Sequence, residues 1–219
     1  MIRRLFLSAS VTTLSLILCV LVAKAQTPQS TDIPKYEVAA EFSSLTLNPG
    51  HTEPGLGGRF TYNLNKNVAL EAAGYFFPHS CEFCSTGRIT EGLFGVKAGK
   101  RFQKWGIFGK ARPGPISFSK GAFNLVPTGG GGPFPFTVES RRLTNIALDV
   151  GGVLEFYPSR RIVTRFDFGD TMVRFGQRTT GFQLITDPIT GVTTLGAPII
   201  SPAYVGHTFQ FTGGVGFRF

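Results

Sequence analysis

Apolar and polar residues alternate along eight segments of the chain between residues 36 and 219. Successive side chains of a β-strand point to opposite faces of its sheet, so each segment has one apolar and one polar face. The pattern is clearest at the end of the chain, where Phe209, Phe211 and Phe217 alternate with Gln210 and Arg218. Each segment has roughly the ten residues that a tilted strand needs to cross a bilayer. The pattern therefore predicts eight antiparallel membrane-spanning strands.

The connections between these segments alternate in length. Short turns are predicted at 65–67, 102–104 and 158–161, and longer loops at 46–56, 78–88, 120–139 and 176–207. Short turns on one side and long loops on the other are typical of an up-and-down transmembrane barrel, whose long loops face outward. Within the last loop, residues 182–186 and 192–195 alternate around a turn at 187–191. They predict that the seventh and eighth strands of the barrel extend outward as a hairpin.

Charged residues lie almost only on the polar faces of the segments. They are Glu37, Glu41, Arg59, Glu71, Glu91, Lys97, Lys110, Arg112, Asp149, Glu155, Arg165, Asp167 and Arg218. The exceptions, Lys100 and Asp170, are expected at strand ends near an interface. Since an Arg or Lys on a lipid-facing surface costs roughly 2–4 kcal/mol at the bilayer midplane, the apolar faces must meet lipid. A soluble lipocalin-like cup would have the opposite arrangement, apolar inside and polar outside.

These features together predict the fold class. Residues 36–219 are expected to form an all-β, closed, eight-stranded, antiparallel up-and-down transmembrane β-barrel with a charge-filled interior. Eight strands leave an interior just wide enough for side chains, so the acids and bases are expected to pair there. A wide aqueous pore is excluded by this strand number.

The first 25 residues have the features of a cleavable signal peptide. Arg3 and Arg4 precede an uncharged run, and small residues precede the predicted cleavage point. The residues of this cleavage signal are Ala23, Ala25 and Gln26. Residues 26–35 are then a short N-terminal segment before the barrel. An uncleaved anchor is the alternative, and lipidation at Cys19 is disfavoured because Leu18 precedes it.

Composition narrows the possible functions further. With 42% hydrophobic and only 16% charged residues, the chain is not disordered. Loss of the signal peptide removes three basic residues and lowers the net charge from +9 to about +6. Basic residues alternate with carboxylates along the strands, and this excludes a nucleic-acid groove. The remaining positive charge suits lipid headgroups or the phosphates of lipopolysaccharide.

Cys81 and Cys84 are the two cysteines of the mature chain. In an exported protein this spacing favours a local disulfide at a loop tip, with free thiols as the alternative. Zinc binding by both cysteines and His79 lacks a fourth ligand, and a redox centre lacks a reducing partner. No metal or cofactor is therefore expected.

Three histidines, His51, His79 and His207, fall in predicted outer loops. Together with Ser80 and a nearby carboxylate such as Glu53, they raise the alternative of an enzyme that modifies lipid A. No spacing in the sequence specifies that geometry, because solvated loop histidines give the same pattern. No catalytic residue is therefore assigned.

The last strand carries a recognisable motif. Thr212, Gly214, Phe217 and Phe219 form a pattern that resembles the C-terminal assembly signal of bacterial outer-membrane proteins. The whole mature chain is similar to the small, eight-stranded OmpA-like and OmpX-like barrel family. This resemblance implies a location in the bacterial outer membrane, insertion by the barrel-insertion machinery, and no cofactor. OmpA-like proteins often add a peptidoglycan-binding domain, which is not expected here because the sequence stops at Phe219.

The sequence therefore predicts a non-enzymatic integral outer-membrane protein that contributes to envelope structure, to binding by its surface loops, or to both. Its expected partners are outer-membrane lipid, lipopolysaccharide, the insertion machinery, and a molecule bound by the outer loops. The alternatives are an enzyme that modifies lipid A and a small-solute channel of low conductance.

Overall fold

A computed structural model describes residues 33–48, 51–78, 87–127, 136–191 and 193–219. The described chain is built from ten strands. They are β1 (Tyr36–Asn48), β2 (His51–Asn63), β3 (Val68–Phe77), β4 (Ile89–Arg101), β5 (Trp105–Pro127), β6 (Phe136–Phe156), β7 (Ile162–Phe175), β8 (Arg178–Thr186), β9 (Thr193–Ser201) and β10 (Tyr204–Arg218). The predicted signal peptide and its cleavage site lie outside the described residues.

Eight of these strands form a closed antiparallel barrel. Its order is β1-β10-β7-β6-β5-β4-β3-β2, and β1 pairs with both β2 and β10. The closing pair runs from Glu37 opposite Arg218 to Thr46 opposite Phe209. The predicted fold class is confirmed, and the eight strands fit the OmpA-like and OmpX-like resemblance. Closure leaves no free sheet edge in the barrel, as a lipid environment requires.

The remaining two strands, β8 and β9, pair only with each other in a separate two-stranded sheet. They lie in the predicted loop 176–207, so a hairpin is present there as predicted, but it is a separate sheet and not a continuation of the barrel strands β7 and β10. The pairing of β5 with β6 also continues far along both strands, from Trp105 opposite Phe156 to Pro127 opposite Phe136. Two long hairpins therefore extend from the same end of the barrel.

Three predicted loop boundaries are wrong. The predicted loop 46–56 is mostly strand, because β1 continues to Asn48 and β2 begins at His51. Most of the predicted loop 120–139 belongs to β5 and β6, and the loop 176–207 ends in the first residues of β10. In each case pairing with a neighbouring strand supplies the hydrogen bonds that keep a Gly- or Pro-containing segment extended.

The two faces of the barrel differ sharply in polarity. The outward positions form a belt of large apolar side chains, with Phe42, Leu56, Phe94, Ile107, Phe168, Phe209 and Val215 among the most exposed. A continuous apolar surface of this size is not stable in water, and its natural medium is hydrocarbon. No helix in the described ranges is long and apolar enough to cross a bilayer.

The two ends of the barrel are also distinct. We call the end that carries the turns at 64–67, 102–104 and 157–161 the turn end, and the opposite end the hairpin end. Aromatic rings cluster around the turn end, where Phe102 stacks on Trp105 with ring centroids 4.2 Å apart and Tyr36 contacts Phe219 at 5.8 Å. Aromatic rings at this level are typical of an interface between hydrocarbon and headgroups.

Candidate functional site

All thirteen charged residues assigned to the polar faces are buried inside the barrel. Their exposed fractions are 4% or less. Alternation alone positions them, because each strand sends every second side chain inward. These thirteen residues comprise seven carboxylates and six basic groups, which can neutralise one another in the interior.

Arg165 on β7 is the hub of this network. Its guanidinium group donates to both carboxylate oxygens of Glu71 on β3, and its Nη2 also donates to Oδ2 of Asp167 at 2.8 Å. Glu71 lies across the barrel from Arg165, so this bidentate pair spans the lumen. Two-point pairs of this kind are the strongest charge-assisted hydrogen bonds in proteins.

A second group of charges lies beside the hub. Arg112 donates from Nη2 to Oδ2 of Asp149 at 2.6 Å, and Nζ of Lys110 lies 2.9 Å from the same oxygen. Lys110 also lies 3.4 Å from Oδ2 of Asp167, which joins this group to Arg165. The basic residues of β5 are thus connected to the acids of both β6 and β7.

A third group lies towards the turn end and includes a residue that the sequence analysis missed. Lys97 and Tyr157 both donate to Glu155, and Arg101 lies 3.5 Å from the same carboxylate. Arg101 was missed because it is the last residue of β4, although it continues the inward series of Lys97. We call the thirteen predicted residues without Glu91, together with Arg101, the charged layer.

The hairpin end of the interior is mainly apolar, apart from the buried Glu53 opposite Leu45, and the sequence analysis did not predict this feature. We call the following buried cluster the apolar layer: Leu45, Ala73, Tyr75, Phe77, Ile89, Leu93, Ile116, Phe118, Ala147 and Val173, with Leu47 and Phe175 packed against it. The prediction of a charge-filled interior therefore applies to the turn end and the middle of the barrel alone. The hairpin end is closed by side-chain packing.

Glu91 lies at the boundary between the two layers. Its neighbours in the sheet are Tyr75 on β3 and Ile116 on β5, both members of the apolar layer. Gln210 donates to Glu91 at 2.9 Å and to Ser43 at 3.1 Å, and it accepts from Thr171 at 2.6 Å. The Gln210 side chain on β10 therefore connects β1, β4 and β7 at the level where the charged layer ends.

Two of the three predicted loop histidines, His51 and His207, occupy positions in strands. His51 is the first residue of β2, and its Nε2 lies 2.8 Å from Oε1 of the buried Glu53. His207 lies within β10, and its Nδ1 lies 2.6 Å from Oδ2 of Asp170. Asp170 lies well inside β7, so its expected place at a strand end is wrong. Strands β7 and β10 extend beyond Asp170 and His207 because they pair with each other as far as Tyr204 opposite Phe175.

The pair formed by His207 and Asp170 faces outward, with the two side chains 66% and 43% exposed. The next outward side chains towards the turn end are Phe209 on β10 and Phe168 on β7. No serine or threonine hydroxyl of the described residues hydrogen-bonds the imidazole of His207. Among the residues that the structure describes, no group of three or more His, Cys, Asp or Glu side chains could hold a metal ion. His79, Cys81 and Cys84 lie outside the described residues.

The β8–β9 hairpin has the most exposed apolar side chains outside the lipid-facing belt. Leu184 and Ile185 are both 56% exposed although they are adjacent on β8, so both faces of the hairpin are apolar. Ile189 in the turn is 92% exposed. At the base of the hairpin, Arg178 donates to the carbonyl oxygen of Gly121 on β5 at 3.1 Å. This contact fixes the hairpin against its longer neighbour.

No known protein family and no curated protein matches the sequence. Among solved structures, the chain is similar to Neisserial surface protein A, with a TM-score of 0.45 and 12% identity over 84% of this chain and 96% of that one. It is also similar to the N-terminal β-barrel domain of Pseudomonas aeruginosa OprF, with a TM-score of 0.43 and 13% identity over 84% and 97%. Ail, the attachment invasion locus protein of Yersinia pestis, matches with a TM-score of 0.42 and 14% identity over 84% and 96%.

Proposed function

We propose that this chain is an integral protein of a bacterial outer membrane that carries out no catalysis. It strengthens the envelope as a sealed barrel and uses its projecting hairpins for binding at the cell surface. Its turn end faces the periplasm and its hairpin end faces outward. The observation that carries this proposal is the filled interior, in which the charged layer and the apolar layer follow one another along the barrel axis.

The filled interior supports a role on the surface of the barrel. Arg165 and Glu71 bridge the lumen in the middle, and Phe77, Ile89 and Ile116 close the hairpin end. A solute would have to separate buried charge pairs and then cross the packed apolar cluster. Both steps oppose passage through an eight-stranded barrel. The functions that remain are those of the outer surface and the hairpins.

Planar-bilayer recording of the purified protein tests the sealed interior. We expect no porin-sized current steps, because neither layer leaves an aqueous path. A variant that removes the bridge, Arg165→Ala with Glu71→Ala, shows whether the apolar layer alone still blocks ions. Porin-sized steps in the unsubstituted protein would contradict the proposal. Incubation with lipid A is the parallel test for catalysis, and loss of an acyl chain would favour the enzyme alternative.

The binding role is tested by shortening the β8–β9 hairpin. Residues 180–200 are replaced by Asn-Gly, and cells that display either protein are partitioned between buffer and hexadecane, a defined apolar probe. We expect fewer cells in the hexadecane phase when the exposed Leu184, Ile185 and Ile189 are removed. A matched control shortens the β5–β6 hairpin instead. Equal partitioning of all three strains would contradict a binding role for β8 and β9.

A further inference from the structure

Basic side chains surround the turn end of the barrel. The exposed ones are Lys35, Lys66, Lys100, Lys104, Arg160 and Arg161. The only carboxylate side chains near this level in the described chain, Glu37 and Glu155, are buried in the charged layer. At the hairpin end, by contrast, exposed Glu139 and Asp187 lie among the basic residues. The described part of the turn end therefore presents basic side chains without exposed acidic side chains.

Two of these lysines lie beside the aromatic pair of the β4–β5 turn. Lys100 is on the outward face of β4 and Phe102 directly follows that strand, and Nζ of Lys100 lies 5.6 Å from the centroid of the Phe102 ring. Phe102 stacks on Trp105, and its backbone N–H donates to the carbonyl oxygen of Trp105 at 2.8 Å. Lys104 is exposed in the same turn. The ammonium of Lys100 is thus held at the edge of the lipid-facing belt.

We propose that this corner, formed by Lys100, Phe102, Lys104 and Trp105, binds the headgroup of an anionic glycerophospholipid. The inference uses the lipid-embedded barrel of the proposed function and adds a ligand class to it. The phosphodiester contacts the ammonium group of Lys100 or that of Lys104, and Phe102 and Trp105 contact the glycerol region at the interface. Beside Lys100 on the outward face, Ile107 begins the apolar belt that contacts the acyl chains.

The absence of an exposed carboxylate sets the preferred charge of the lipid. A zwitterionic headgroup brings an amine as well as a phosphate, and no exposed carboxylate in the described part of this corner offers that amine an ionic partner. An anionic headgroup brings the phosphate alone. Each basic residue near an anionic membrane surface adds about 1 kcal/mol of attraction, so a preference of about fivefold is expected from one lysine in direct contact.

Trp105 is the only tryptophan of the chain, and it reports on this corner directly. The full-length protein is reconstituted in phosphatidylcholine bilayers that contain a brominated lipid, either phosphatidylglycerol or phosphatidylcholine. Bromine atoms on the lipid quench the fluorescence of Trp105 on contact. We expect brominated phosphatidylglycerol to be favoured about fivefold. The variant Lys100→Gln with Lys104→Gln should reduce this preference to about onefold, whereas Lys35→Gln, on the other side of the barrel, should leave it unchanged.

Each other outcome has a defined meaning. Equal quenching by both lipids overturns the lipid site and leaves the embedded barrel intact. No quenching by either lipid contradicts the embedded barrel itself, and with it the proposed function. Displacement of brominated phosphatidylglycerol by millimolar inorganic phosphate would show a site for free phosphate and would overturn a lipid ligand. A preference that persists in the double lysine variant would assign the selectivity to other residues.

Discussion

The charged layer and the apolar layer fill the same barrel with opposite chemistry. In the charged layer, side chains are held by hydrogen bonds and ion pairs, as Arg165 is by Glu71 and Asp167. In the apolar layer, Leu93 and Phe77 are held by packing alone. The charged layer is therefore ordered by specific ion pairs and hydrogen bonds, and the apolar layer by the fit of packed side chains.

The two layers contribute differently to the register of the strands, which determines the face of each strand that lies inside. A slip of one residue turns every side chain of a strand to the opposite face. In the charged layer such a slip would move residues such as Arg165 and Asp167 into lipid, at a cost of several kcal/mol. In the apolar layer the same slip exchanges one apolar side chain for another, for example Phe77 for Phe76. The charged layer therefore fixes the register of the whole barrel, and the apolar layer closes it.

The largest effect is expected from removal of the hub. Arg165→Met leaves the buried Glu71 and Asp167 without their main partner, and breaking a buried pair in this way costs about 3–5 kcal/mol. The free energy of unfolding, measured by urea titration of the protein in lipid vesicles, should fall by that amount. The control Arg174→Met changes an exposed outward residue of the same strand. A similar loss in both variants would show that the network is not specifically required.

A smaller loss is expected in the apolar layer. Leu93→Ala removes a fully buried side chain and leaves a cavity, and such changes cost about 2–5 kcal/mol. We expect the lower half of that range, because the hairpin end of the strands can partly collapse around the cavity. The same urea titration measures it, with Ile189→Ala at the exposed turn of β8–β9 as the control. A loss larger than that of Arg165→Met would reverse the proposed ranking of the two layers.

The centre of the barrel could be predicted from the sequence because it depends on a local rule. Alternation in segments such as 36–43 and 209–219 assigns each side chain to a face without knowledge of the neighbours, and charge then identifies the inner face. The charged layer follows directly. Only its last member, Arg101, was missed, because a strand end cannot be located from alternation alone.

The hairpin end could not be predicted in the same way. The run Arg112-Pro113-Gly114-Pro115 has the composition of a turn, but the ladder with β6 continues through it because the partner strand supplies the pairing. Pro54 and Gly55 likewise lie inside β2. Because residues 46–56 have the composition of a loop, alternation gives no strand partner to the inward positions that pair with them, such as Leu45. The sequence pattern therefore does not reveal the apolar layer.

Close contact between β6 and β7 gives a third test, of intermediate size. Gly151 faces inward opposite Gly169, and a Cβ at Gly151 would lie 2.1 Å from the carbonyl oxygen of Phe168. Gly151→Ala therefore forces the two backbones apart next to the charged layer and should cost about 1–3 kcal/mol. Gly176→Ala is the matched control, because no atom lies within 4 Å of the added methyl group. Equal stability of the two variants would contradict this close approach.

The smallest effect is expected at the tip of the β8–β9 hairpin. The carboxylate of Asp187 accepts hydrogen bonds from the backbone N–H groups of Ile189 and Thr190. These bonds, that of Ile189 first, lower the pKa of Asp187 below its ordinary value. The turn is therefore stabilised above the pKa of the unfolded chain, and this contribution is lost as the pH falls through the lower pKa of the folded turn.

Amide hydrogen exchange measures this local effect. Protection of Ile189 and Thr190 should decrease below about pH 4, the ordinary range of an aspartate, while the barrel remains unchanged. Asp187→Asn keeps an acceptor oxygen, so it should retain protection and lose the pH dependence, whereas Asp187→Ala should lose both. A change in global unfolding with either variant would mean that the hairpin is coupled to the interior. We expect no such coupling, because the hydrogen bond from Arg178 at the base of the hairpin goes to the backbone of Gly121 and not to the charged layer.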